Sequence, residues 1–446
     1  MGRVIERAAR MVKIIDPSKP IFIGGAGMAL LMLWILTPFP TFPKLLDVAN
    51  TTILPEIDDA PTIDCVTGSG QGVNLGHDPV DQTFYDDQSL SYSIGNPVKN
   101  WDEKRREWLK HHPSFATGVE DRVIVLTGSQ PWPCKNPIGD NLLLRLFKNK
   151  VDYCRIHGYD IFYNNVFLHP KMVGLWVKLP GLRATMLAHP EAEWIFWVDS
   201  DAIFTDMDIK PPLEKYKDHN LVVHGWSYNV YEKKSWAGVN SGVFFIRNCQ
   251  WSMDFLEAWA MIGPQTPNYE KWSQIVSSTM TDKTHPEVDD QSALVYLLLT
   301  EKETWGNKVY IENQYELSGY WAHFVDSFDT ISDKYGTIEK GVTELRRPHA
   351  EKVSEHYAAV MNEVFFNKGG DWTTKRPFIT HFTACKPCSG VHWGYSDEAC
   401  WKGMEKALNF ADNQVLRNYG FRRLDLLNTS SVHPLPFGFS SDKKDT

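Results

Sequence analysis

The sequence predicts an α/β fold organised around a buried parallel sheet, and three observations indicate it. Residues Trp194–Val198 form a continuous apolar run, typical of a strand buried on both faces, and the run ends in Asp199-Ser200-Asp201. An earlier β-branched strand at 122–127 runs into a Gly-Ser pair. Helical and strand patterns alternate around these two strands, which is typical of βαβ units.

The chain opens with a predicted membrane anchor at residues 21–37. Residues 21–36 carry no charge, and as a helix they would span about 24 Å, which suits a thin bilayer. Basic residues outnumber acidic ones in the tail before it, residues 1–20, so the positive-inside rule places the tail in the cytosol and the rest in a lumen. The alternative is a cleaved signal peptide, but a proline-rich stretch stands where a small-residue cleavage site would be needed.

Residues 38–118 are predicted to form a luminal stem, because they are polar and show no sustained periodicity. A charged helix at 100–110 is the exception, and we expect it to dock on the domain that follows. That main folded domain is predicted to cover residues 119–446. Two glycosylation sequons, at Asn50 and Asn428, agree with a luminal location.

Within the folded domain, the periodicities predict further elements in chain order. The predicted helices cover 141–157, 172–187 with a break near Pro180, 251–261, 292–300, and 331–365 with a split at Pro348. The further predicted strands cover 160–163, 221–224, 243–246 and a last stretch after Arg376 that enters a cysteine-fixed loop. The first strand ends in Gly128 and Ser129, an opening that suits a nucleotide.

The seven cysteines of the chain are Cys65, Cys134, Cys154, Cys249, Cys385, Cys388 and Cys400. In an oxidising lumen most of them should pair, and the odd one is left free or crosslinks two chains. The sequence does not give the connectivity. The group of Cys385, Cys388, His392 and Cys400 also has the composition of a zinc knuckle, an alternative that an oxidising lumen disfavours.

The two carboxylates after the buried strand need a chemical reason. Ligands bind at the carboxyl ends of the strands in an open parallel sheet, so Asp199 and Asp201 should face a crevice. Carboxylates this close repel each other unless a cation lies between them, and hard oxygen ligands favour Mg²⁺ or Mn²⁺, whose usual cargo is a diphosphate. The alternative is a turn with a helix cap, since Asp and Ser are common in both.

Two more polar groups stand at the ends of predicted elements. Asp289, Asp290 and Gln291 precede the helix at 292–300, where an acidic residue would serve as an N-cap. Pure capping is the alternative to a functional role, but two carboxylates and an amide exceed the needs of one cap. His381 follows the last strand and offers a third metal ligand from far along the chain, although a lone histidine is often structural.

Composition narrows the class of partner. The formal net charge is −9 and the isoelectric point is near 5.9, so no basic surplus is available to bind a nucleic acid. The 17 tryptophans suggest a carbohydrate partner, because sugar rings stack on aromatic side chains. The alternative is that these tryptophans are large core residues.

Long strings carry a family resemblance: NWDEKRREWL, TGSQPWPCKNPIGDNLLL, NKVDYCRIHGYDIFYNN, AHPEAEWIFWVDSDAIFTDM, YKDHNLVVHGW, DDQSALVYLL, THFTACKPC and ALNFADNQVL. They resemble plant Golgi glycosyltransferases that add α-1,6 side chains to hemicelluloses, a family of xyloglucan xylosyltransferases and galactomannan galactosyltransferases. The resemblance covers residues 75–438. The strings LRRPHAEKVSEHY and SVHPLPFGF are similar to the galactosyltransferase branch.

The resemblance implies a GT-A fold with a single nucleotide-sugar-binding catalytic domain and a reaction that retains the donor's anomeric configuration. Asp199, Asp201 and His381 match the family's Mn²⁺ ligands, with Mg²⁺ as the alternative ion. The expected contacts of the nucleotide sugar are Gly128, Ser129, Asp199, Ser200, Asn240 and Lys386. Lys386 would place its charge at the diphosphate.

Asp289, Asp290 and Gln291 match family positions at the donor sugar and the acceptor, and with Lys386 they form the expected catalytic set. Gln291 would stabilise the developing oxocarbenium face, and Asp290 would orient the donor hydroxyls. No carboxylate is obviously placed as a covalent nucleophile, which favours a front-face reaction assisted by the leaving group.

The resemblance implies a Golgi α-1,6-galactosyltransferase, anchored as a type II membrane protein, that moves galactose from UDP-galactose onto mannosyl residues of a galactomannan or galactoglucomannan. Three alternatives stay open: a xyloglucan α-1,6-xylosyltransferase that uses UDP-xylose on a β-1,4-glucan, a catalytically silent scaffold for a synthase, and a luminal lectin. Relatives also suggest a homodimer, or a complex with a mannan synthase.

One position suggests how the donor is selected. Val239-Asn240-Ser241-Gly242 stands where the xylosyl branch typically reads Leu-Asn-Thr-Gly. Losing a methyl group at Ser241 would make room for the C6 hydroxymethyl group that galactose has and xylose lacks. We therefore expect Ser241→Thr to shift donor preference towards UDP-xylose.

Overall fold

The computed structural model describes residues 87–119, 122–342, 345, 354–367 and 375–435. The predicted tail and anchor, the first part of the stem, Asn50 and Cys65 lie outside the described residues. Among the helices in those ranges, none combines the length and the apolar character that crossing a bilayer requires.

Helices and strands alternate through the described chain. The helices are α1 (Trp101–His111), α2 (Pro113–Ala116), α3 (Pro137–His157), α4 (Lys178–Ala188), α5 (Ser227–Tyr231), α6 (Gln250–Ala260), α7 (Tyr269–Thr279), α8 (Asp290–Thr300), α9 (Lys302–Trp305), α10 (Phe328–Gly341), α11 (Ser354–Asn367) and α12 (Asp397–Leu416). The strands are β1 (Val123–Gly128), β2 (Asp160–Asn164), β3 (Trp194–Val198), β4 (Ala202–Phe204), β5 (Leu221–Gly225), β6 (Val239–Arg247), β7 (Val309–Glu312), β8 (Gly319–Tyr320), β9 (Ile379–His381), β10 (Phe421–Arg422) and β11 (His433–Pro434). The predicted α/β class is confirmed.

Six strands form the main sheet in the order β2-β1-β3-β6-β5-β7. β1 pairs in parallel with both β2 and β3, and β5 pairs in parallel with β7, but β6 is antiparallel to both of its neighbours. The prediction of a parallel sheet is therefore wrong at β6. A strand buried on both faces shows the same apolar run in either direction, so its pattern does not reveal its orientation.

Helices cover both faces of the main sheet. Phe196 of β3 lies in an apolar cluster with Leu146 of α3 and Leu408 of α12. Its neighbour Ile195 lies in a second cluster, together with Leu182 of α4. Because every residue of β3 is buried, polar chemistry on this strand is confined to its ends.

A second sheet of three short strands, in the order β4-β9-β8, is connected to the carboxyl end of β3 through β4. β4 follows β3 after the Asp-Ser-Asp turn and pairs antiparallel with β9, which places Ala202 opposite His381. The predicted last strand is therefore confirmed, but it belongs to this small sheet. Strands this short leave no periodic pattern from which their partners could be predicted.

The segment before β1 packs against the main domain. Trp101, the first residue of α1, is completely buried, and its indole Nε1 donates a hydrogen bond of 2.7 Å to Asn248 Oδ1. Further upstream, Ser91 O accepts a hydrogen bond of 2.8 Å from Arg183 Nη2 of α4. The charged helix docks as predicted, and the described part of the predicted stem up to α1 belongs to the packed body.

The predicted helix at 172–187 needs a correction. The structure has a 3-10 turn at Gly174–Val177 and then α4, with Pro180 in the first turn of α4. The first N–H groups of a helix have no intrahelical acceptor, so a proline there removes no hydrogen bond and the helix continues. The predicted break near Pro180 is wrong for this reason. The predicted helix at 331–365 does divide into α10 and α11, with Pro348 outside the described residues.

Two disulfides, Cys134–Cys388 and Cys385–Cys400, tie the loop after β9 to the loop after β1 and to α12. The zinc-knuckle alternative is wrong, because zinc binds thiolates and these sulfurs are joined to each other. Among the described cysteines, Cys154 and Cys249 are unpaired. Burial raises the pKa of Cys154 to about 12, so this thiol is uncharged and unreactive at neutral pH.

Candidate active site

Asp199, Asp201 and His381 meet at the carboxyl end of β3. Asp199 follows the last residue of β3, Asp201 precedes β4, and His381 ends β9. His381 Nε2 lies 3.3 Å from Asp201 Oδ1 and 3.8 Å from Asp199 Oδ2, and one ligand atom from each residue lies within 4.8 Å of the other two. The structure thus brings together the three residues that were predicted as metal ligands.

Hydrogen bonds orient the imidazole towards the two carboxylates. Ser318 Oγ donates to Asn240 Oδ1 at 2.9 Å and, since its proton is used there, accepts from His381 Nδ1 at 3.1 Å. This arrangement assigns the ring proton to Nδ1 and leaves the Nε2 lone pair for a metal ion. Two carboxylates and a neutral imidazole nitrogen form a donor set that fits a divalent metal ion.

Gly242 of β6 gives these side chains their space. A Cβ atom at this position would lie 2.2 Å from His381 Cε1 and 2.7 Å from Asp199 Oδ2. The carbonyl of Gly242 accepts a hydrogen bond of 2.8 Å from Asp199 N, while Trp197 Nε1 donates to Asp199 Oδ1 at 2.6 Å. Only glycine fits at this position, and Asp199 is held at both its backbone and its side chain.

A buried lysine that was not predicted from the sequence links Asp199 to Asp290. Lys178 Nζ lies 2.6 Å from Asp290 Oδ2 and 3.6 Å from Asp199 Oδ1, and it donates to Ser241 O at 2.9 Å. Burial lowers the pKa of Lys178, but Asp199 and Asp290 together outweigh burial, so the net shift is upward and the ammonium stays charged. Its signal in the sequence is a lysine that opens a largely apolar helical stretch.

A second buried lysine, Lys150 of α3, lies behind the Asp-Ser-Asp turn. Its Nζ donates to Ala202 O at 2.7 Å and to Ser200 O at 3.1 Å. Burial lowers the pKa of Lys150 to about 8, although Asp201 and Asp199 act in the opposite direction. The two carboxylates of the Asp-Ser-Asp turn are therefore flanked by Lys150 and Lys178. The positive charges of these lysines offset the repulsion between the carboxylates.

A crevice of about 580 Å³ opens beside Asp199-Ser200-Asp201, the turn that carries two of the predicted metal ligands and that we call the metal-binding turn. Its lining includes five of the residues predicted to contact the nucleotide sugar, namely Gly128, Ser129, Asp199, Ser200 and Lys386. The sixth, Asn240, lies outside this lining and belongs to the hydrogen bonds around His381. Apolar side chains complete the wall, among them Trp132, Phe167, Leu175 and Trp197. Apolar walls with a few convergent polar groups are typical of sites for small ligands.

Lys386 reaches this crevice from a covalently restrained loop. Both disulfides hold the loop, because Cys385 and Cys388 each contribute one sulfur. Lys386 Nζ lies 4.3 Å from the centre of the Trp393 ring, a cation–π contact that orients the ammonium. The loop therefore presents a positive charge in the same crevice as the metal-binding turn.

Asp289 is the N-cap of α8. Its Oδ1 accepts a hydrogen bond of 2.6 Å from Ser292 N, and its Oδ2 lies 2.5 Å from His285 Nε2 and 3.3 Å from Lys283 Nζ. Burial raises the pKa of Asp289, but the Ser292 hydrogen bond and Lys283 lower it by more. Asp289, like Asp290 and Gln291, is not among the residues that line the crevice. Besides capping α8, it accepts a hydrogen bond of 3.2 Å from Trp236 Nε1, so its contacts exceed those of a cap alone.

Asp290 and Gln291 both accept hydrogen bonds from Ser241 of β6. Asp290 is 2% exposed and accepts a hydrogen bond of 2.8 Å from Ser241 Oγ, besides its ion pair with Lys178. Gln291 Oε1 accepts from Ser241 N at 3.2 Å, and Gln291 Nε2 donates to Trp236 O at 3.1 Å. Through Lys178, this end of α8 adjoins the metal triad.

Asn428, the second predicted glycosylation site, is exposed. Its Oδ1 accepts hydrogen bonds of 3.1 Å from both the N and the Oγ of Ser430, within its own sequon. An exposed sequon in a turn is accessible to modification in a lumen.

Comparison with known proteins shows which sequences and structures this chain is similar to. Residues 119–392 match the profile of the galactosyl transferase GMA12/MNN10 family. Galactomannan galactosyltransferase 1 of Cyamopsis tetragonoloba is 53% identical over 425 residues, which cover 94% of this chain and 95% of that relative. Glycosyltransferase 6 of Arabidopsis thaliana is 51% identical over 426 residues, with 94% and 95% covered. The crystal structure of the galactosyltransferase LgtC in complex with donor and acceptor sugar analogues is 10% identical, with a TM-score of 0.29 and 65% of this chain and 95% of that chain covered.

Proposed function

The chain belongs to the galactosyl transferase GMA12/MNN10 family and is a glycosyltransferase, and from this premise we propose that it transfers galactose from UDP-galactose to mannosyl residues of a galactomannan or galactoglucomannan backbone. One observation carries the proposal. The triad of Asp199, Asp201 and His381 adjoins a crevice lined by Lys386, in a chain 53% identical to a relative named galactomannan galactosyltransferase.

The donor would bind in the crevice in a GT-A arrangement. Gly128 and Ser129 at the end of β1 would contact the nucleotide, and Lys386 would neutralise part of the diphosphate charge. Asp199, Asp201 and His381 would hold a divalent ion, Mn²⁺ with Mg²⁺ as the alternative, which supplies Lewis-acid stabilisation of the departing UDP.

The sugar would lie towards α8, where Asp290, Gln291 and Lys178 meet. Asp290 is fixed by Lys178 and by Ser241, so it is suited to orient donor hydroxyls and not to form a covalent bond. Gln291 would place an amide oxygen near the developing oxocarbenium charge. The bond from C1 to the phosphate oxygen breaks as the bond from C1 to the acceptor oxygen forms on the same face, and the acceptor proton moves to the leaving phosphate. The donor configuration is then retained.

The setting of the reaction is part of the proposal. The chain would be a Golgi enzyme anchored by residues 21–37, with its catalytic domain in the lumen, where mannan-type polysaccharide is available as the acceptor. A homodimer or an association with a mannan synthase would suit such a membrane-bound enzyme.

A donor-by-acceptor matrix tests this proposal directly. Purified protein is incubated with Mn²⁺ and with UDP-galactose or UDP-xylose, on mannohexaose or cellohexaose, and products are identified by mass spectrometry and linkage analysis. The expected result is α-1,6-linked galactose on mannohexaose, lost in EDTA and in Asp201→Ala. Transfer of xylose to cellohexaose would replace the proposal with the xylosyltransferase alternative. Binding of oligosaccharide without any transfer would favour a lectin.

A further inference from the structure

The outer edge of β4 is completed by side chains and not by another strand. β4 is the edge strand of its sheet, yet all three of its residues are buried. Buried backbone N–H and C=O groups need partners, because leaving them unpaired is costly. The partners of this edge come from two consecutive residues of α3.

Asn149 and Lys150 supply these partners. Asn149 Oδ1 accepts from Phe204 N at 2.9 Å, and Asn149 Nδ2 donates to Phe204 O at 3.0 Å, so its amide acts as one residue of a neighbouring strand. Lys150 Nζ donates to Ala202 O at 2.7 Å. The backbone groups of residues 202 and 204 point to the same edge of β4. The side chains of Asn149 and Lys150 therefore take the place of the hydrogen bonds that a neighbouring strand would make there.

Lys150 reaches beyond the strand into the metal-binding turn. Its Nζ also donates to Ser200 O at 3.1 Å and to Leu146 O at 3.5 Å, so three carbonyl oxygens receive its three protons. Lys150 is only 1% exposed, so its ammonium does not reach solvent. An ammonium that donates to three main-chain carbonyls and does not line the crevice is suited to hold the backbone, and not to exchange a proton with a substrate.

We propose that Lys150 is a positioning residue, which holds the backbone between Asp199 and Ala202 so that the carboxylates of Asp199 and Asp201 are preorganised to bind a divalent ion. This inference rests on the proposed metal-dependent function. The two effects of Lys150 on a metal ion have opposite signs. Its charge repels a cation, whereas its hydrogen bonds fix the turn that presents the ligands. The measured sign of a substitution therefore decides between them.

The test compares metal affinity across variants of the full-length protein. Binding of Mn²⁺ alone, and of Mn²⁺ with UDP, is measured from the electron paramagnetic resonance signal of the free ion, with thermal unfolding in parallel. Lys150→Met is expected to weaken Mn²⁺ binding at least about tenfold, because the freed turn loses more than the removed charge gains. Lys150→Arg, which keeps donors for the carbonyls, is expected to lie nearer to wild type.

Two matched variants control for general loss of stability. Asn149→Leu breaks the same edge at Phe204 but leaves the turn carbonyls paired, so it should lower the melting temperature while changing Mn²⁺ affinity less than about threefold. Lys148→Met, in the same helix, removes ion pairs with Asp152 and Asp412 that lie away from the turn, so it should lower the melting temperature but leave Mn²⁺ affinity unchanged. If Lys150→Met does not yield folded protein, Lys150→Leu, which also lacks hydrogen-bond donors, gives the same comparison.

The outcomes are separable. A Lys150→Met protein that binds Mn²⁺ as tightly as wild type, or more tightly, overturns the positioning role and leaves only charge repulsion. Equal weakening by Lys150→Met and Asn149→Leu overturns it as well, because the effect would then follow stability. A wild-type protein that binds no Mn²⁺ contradicts the proposed function itself.

Discussion

The ammonium of Lys178 lies 2.6 Å from Asp290 Oδ2, and the two side chains are only 2% and 3% exposed. A buried ion pair is weak as a source of stability, because both charges must be desolvated. Its value here is positional. Lys178 also lies 3.6 Å from Asp199, so one charge connects the residue proposed to orient the sugar with a proposed metal ligand.

Removing one member of this pair should be more damaging than removing both. Lys178→Met leaves Asp290 as a buried and uncompensated charge, and we expect it to lower the free energy of unfolding by about 3 to 5 kcal/mol. The double variant Lys178→Met/Asp290→Asn should recover most of that loss without recovering transferase activity. Urea unfolding and initial rates measure the two effects. A single variant as stable as wild type would show that the pair is not buried as described.

The metal ligands should be separable from the fold. Asp201 is 23% exposed at its side chain, so Asp201→Ala opens no large cavity and should unfold near the wild-type temperature. Activity should fall by on the order of 10³-fold, because the ion that stabilises the leaving group loses a ligand. Asp160→Ala, at an exposed carboxylate of β2, is the matched control. Full activity of the wild type in EDTA would contradict the metal assignment.

The site is predictable from sequence where one element carries the signal. The apolar run Trp194–Val198 ending in two aspartates predicts both a buried strand and a charged crevice, because ligands bind at the carboxyl ends of such strands. The pairing of His381 with this turn rests on β4 and β9, which are too short to leave a pattern. The sequence offers His381 only as one candidate for a distant third ligand, and the family resemblance selects it.

Buried lysines escape prediction for a different reason. Lys150 stands inside an amphipathic helix and Lys178 at the start of a largely apolar one, and a lysine in either place usually extends its ammonium to solvent. Whether it meets carbonyls or carboxylates instead depends on neighbours distant in sequence. The orientation of β6 and the pairing of the cysteines could not be predicted for the same reason. A local sequence pattern does not show which distant elements become neighbours in the fold.

The disulfide between Cys134 and Cys388 should affect donor binding more than metal binding. It closes a loop with a sequence separation of 254 and fixes the segment that carries Lys386. Cys134→Ser/Cys388→Ser should lose on the order of 5 kcal/mol of stability by chain entropy and raise the KM for UDP-galactose. Mn²⁺ affinity should stay near wild type, since the triad is held at the ends of β3 and β9 and the start of β4, and not by the segment 385–388. Cys249→Ser, at an unpaired cysteine, is the control. An unchanged KM would contradict the proposed contact between Lys386 and the diphosphate of the donor.

Stability should depend on pH through Asp206. Burial raises the pKa of Asp206 to about 6 from 3.8, although Arg376 acts against burial. The folded state therefore binds a proton that the unfolded state has released, and stability falls as pH rises through this window and stays lower above it. Asp206→Asn, which mimics the protonated form, should be more stable than wild type by on the order of 2 to 3 kcal/mol at pH 8, and by less at pH 5. Urea unfolding at pH 8 and at pH 5 measures the difference in stability between variant and wild type. For the control Asp160→Asn, this difference should be the same at both pH values. A less stable Asp206→Asn protein at pH 8 would contradict the assignment.

Donor choice is the last prediction, and the structure gives it a route. Ser241 is 3% exposed, and its Oγ donates to Asp290 Oδ2 at 2.8 Å, so position 241 acts on the sugar site through Asp290. Ser241→Thr adds a buried methyl group beside this carboxylate and should displace it towards the space that the C6 hydroxymethyl group of galactose requires.

The ratio of kcat/KM for UDP-xylose to that for UDP-galactose should therefore rise in Ser241→Thr, by on the order of tenfold for one misplaced methyl-sized group. Ser241→Ala is the matched control, because it removes the hydrogen bond to Asp290 without adding volume. It should lower kcat for both donors and leave their ratio near the wild-type value. If Ser241→Thr leaves the ratio unchanged, space at position 241 does not select the donor, and selection must lie with residues that contact C6 directly.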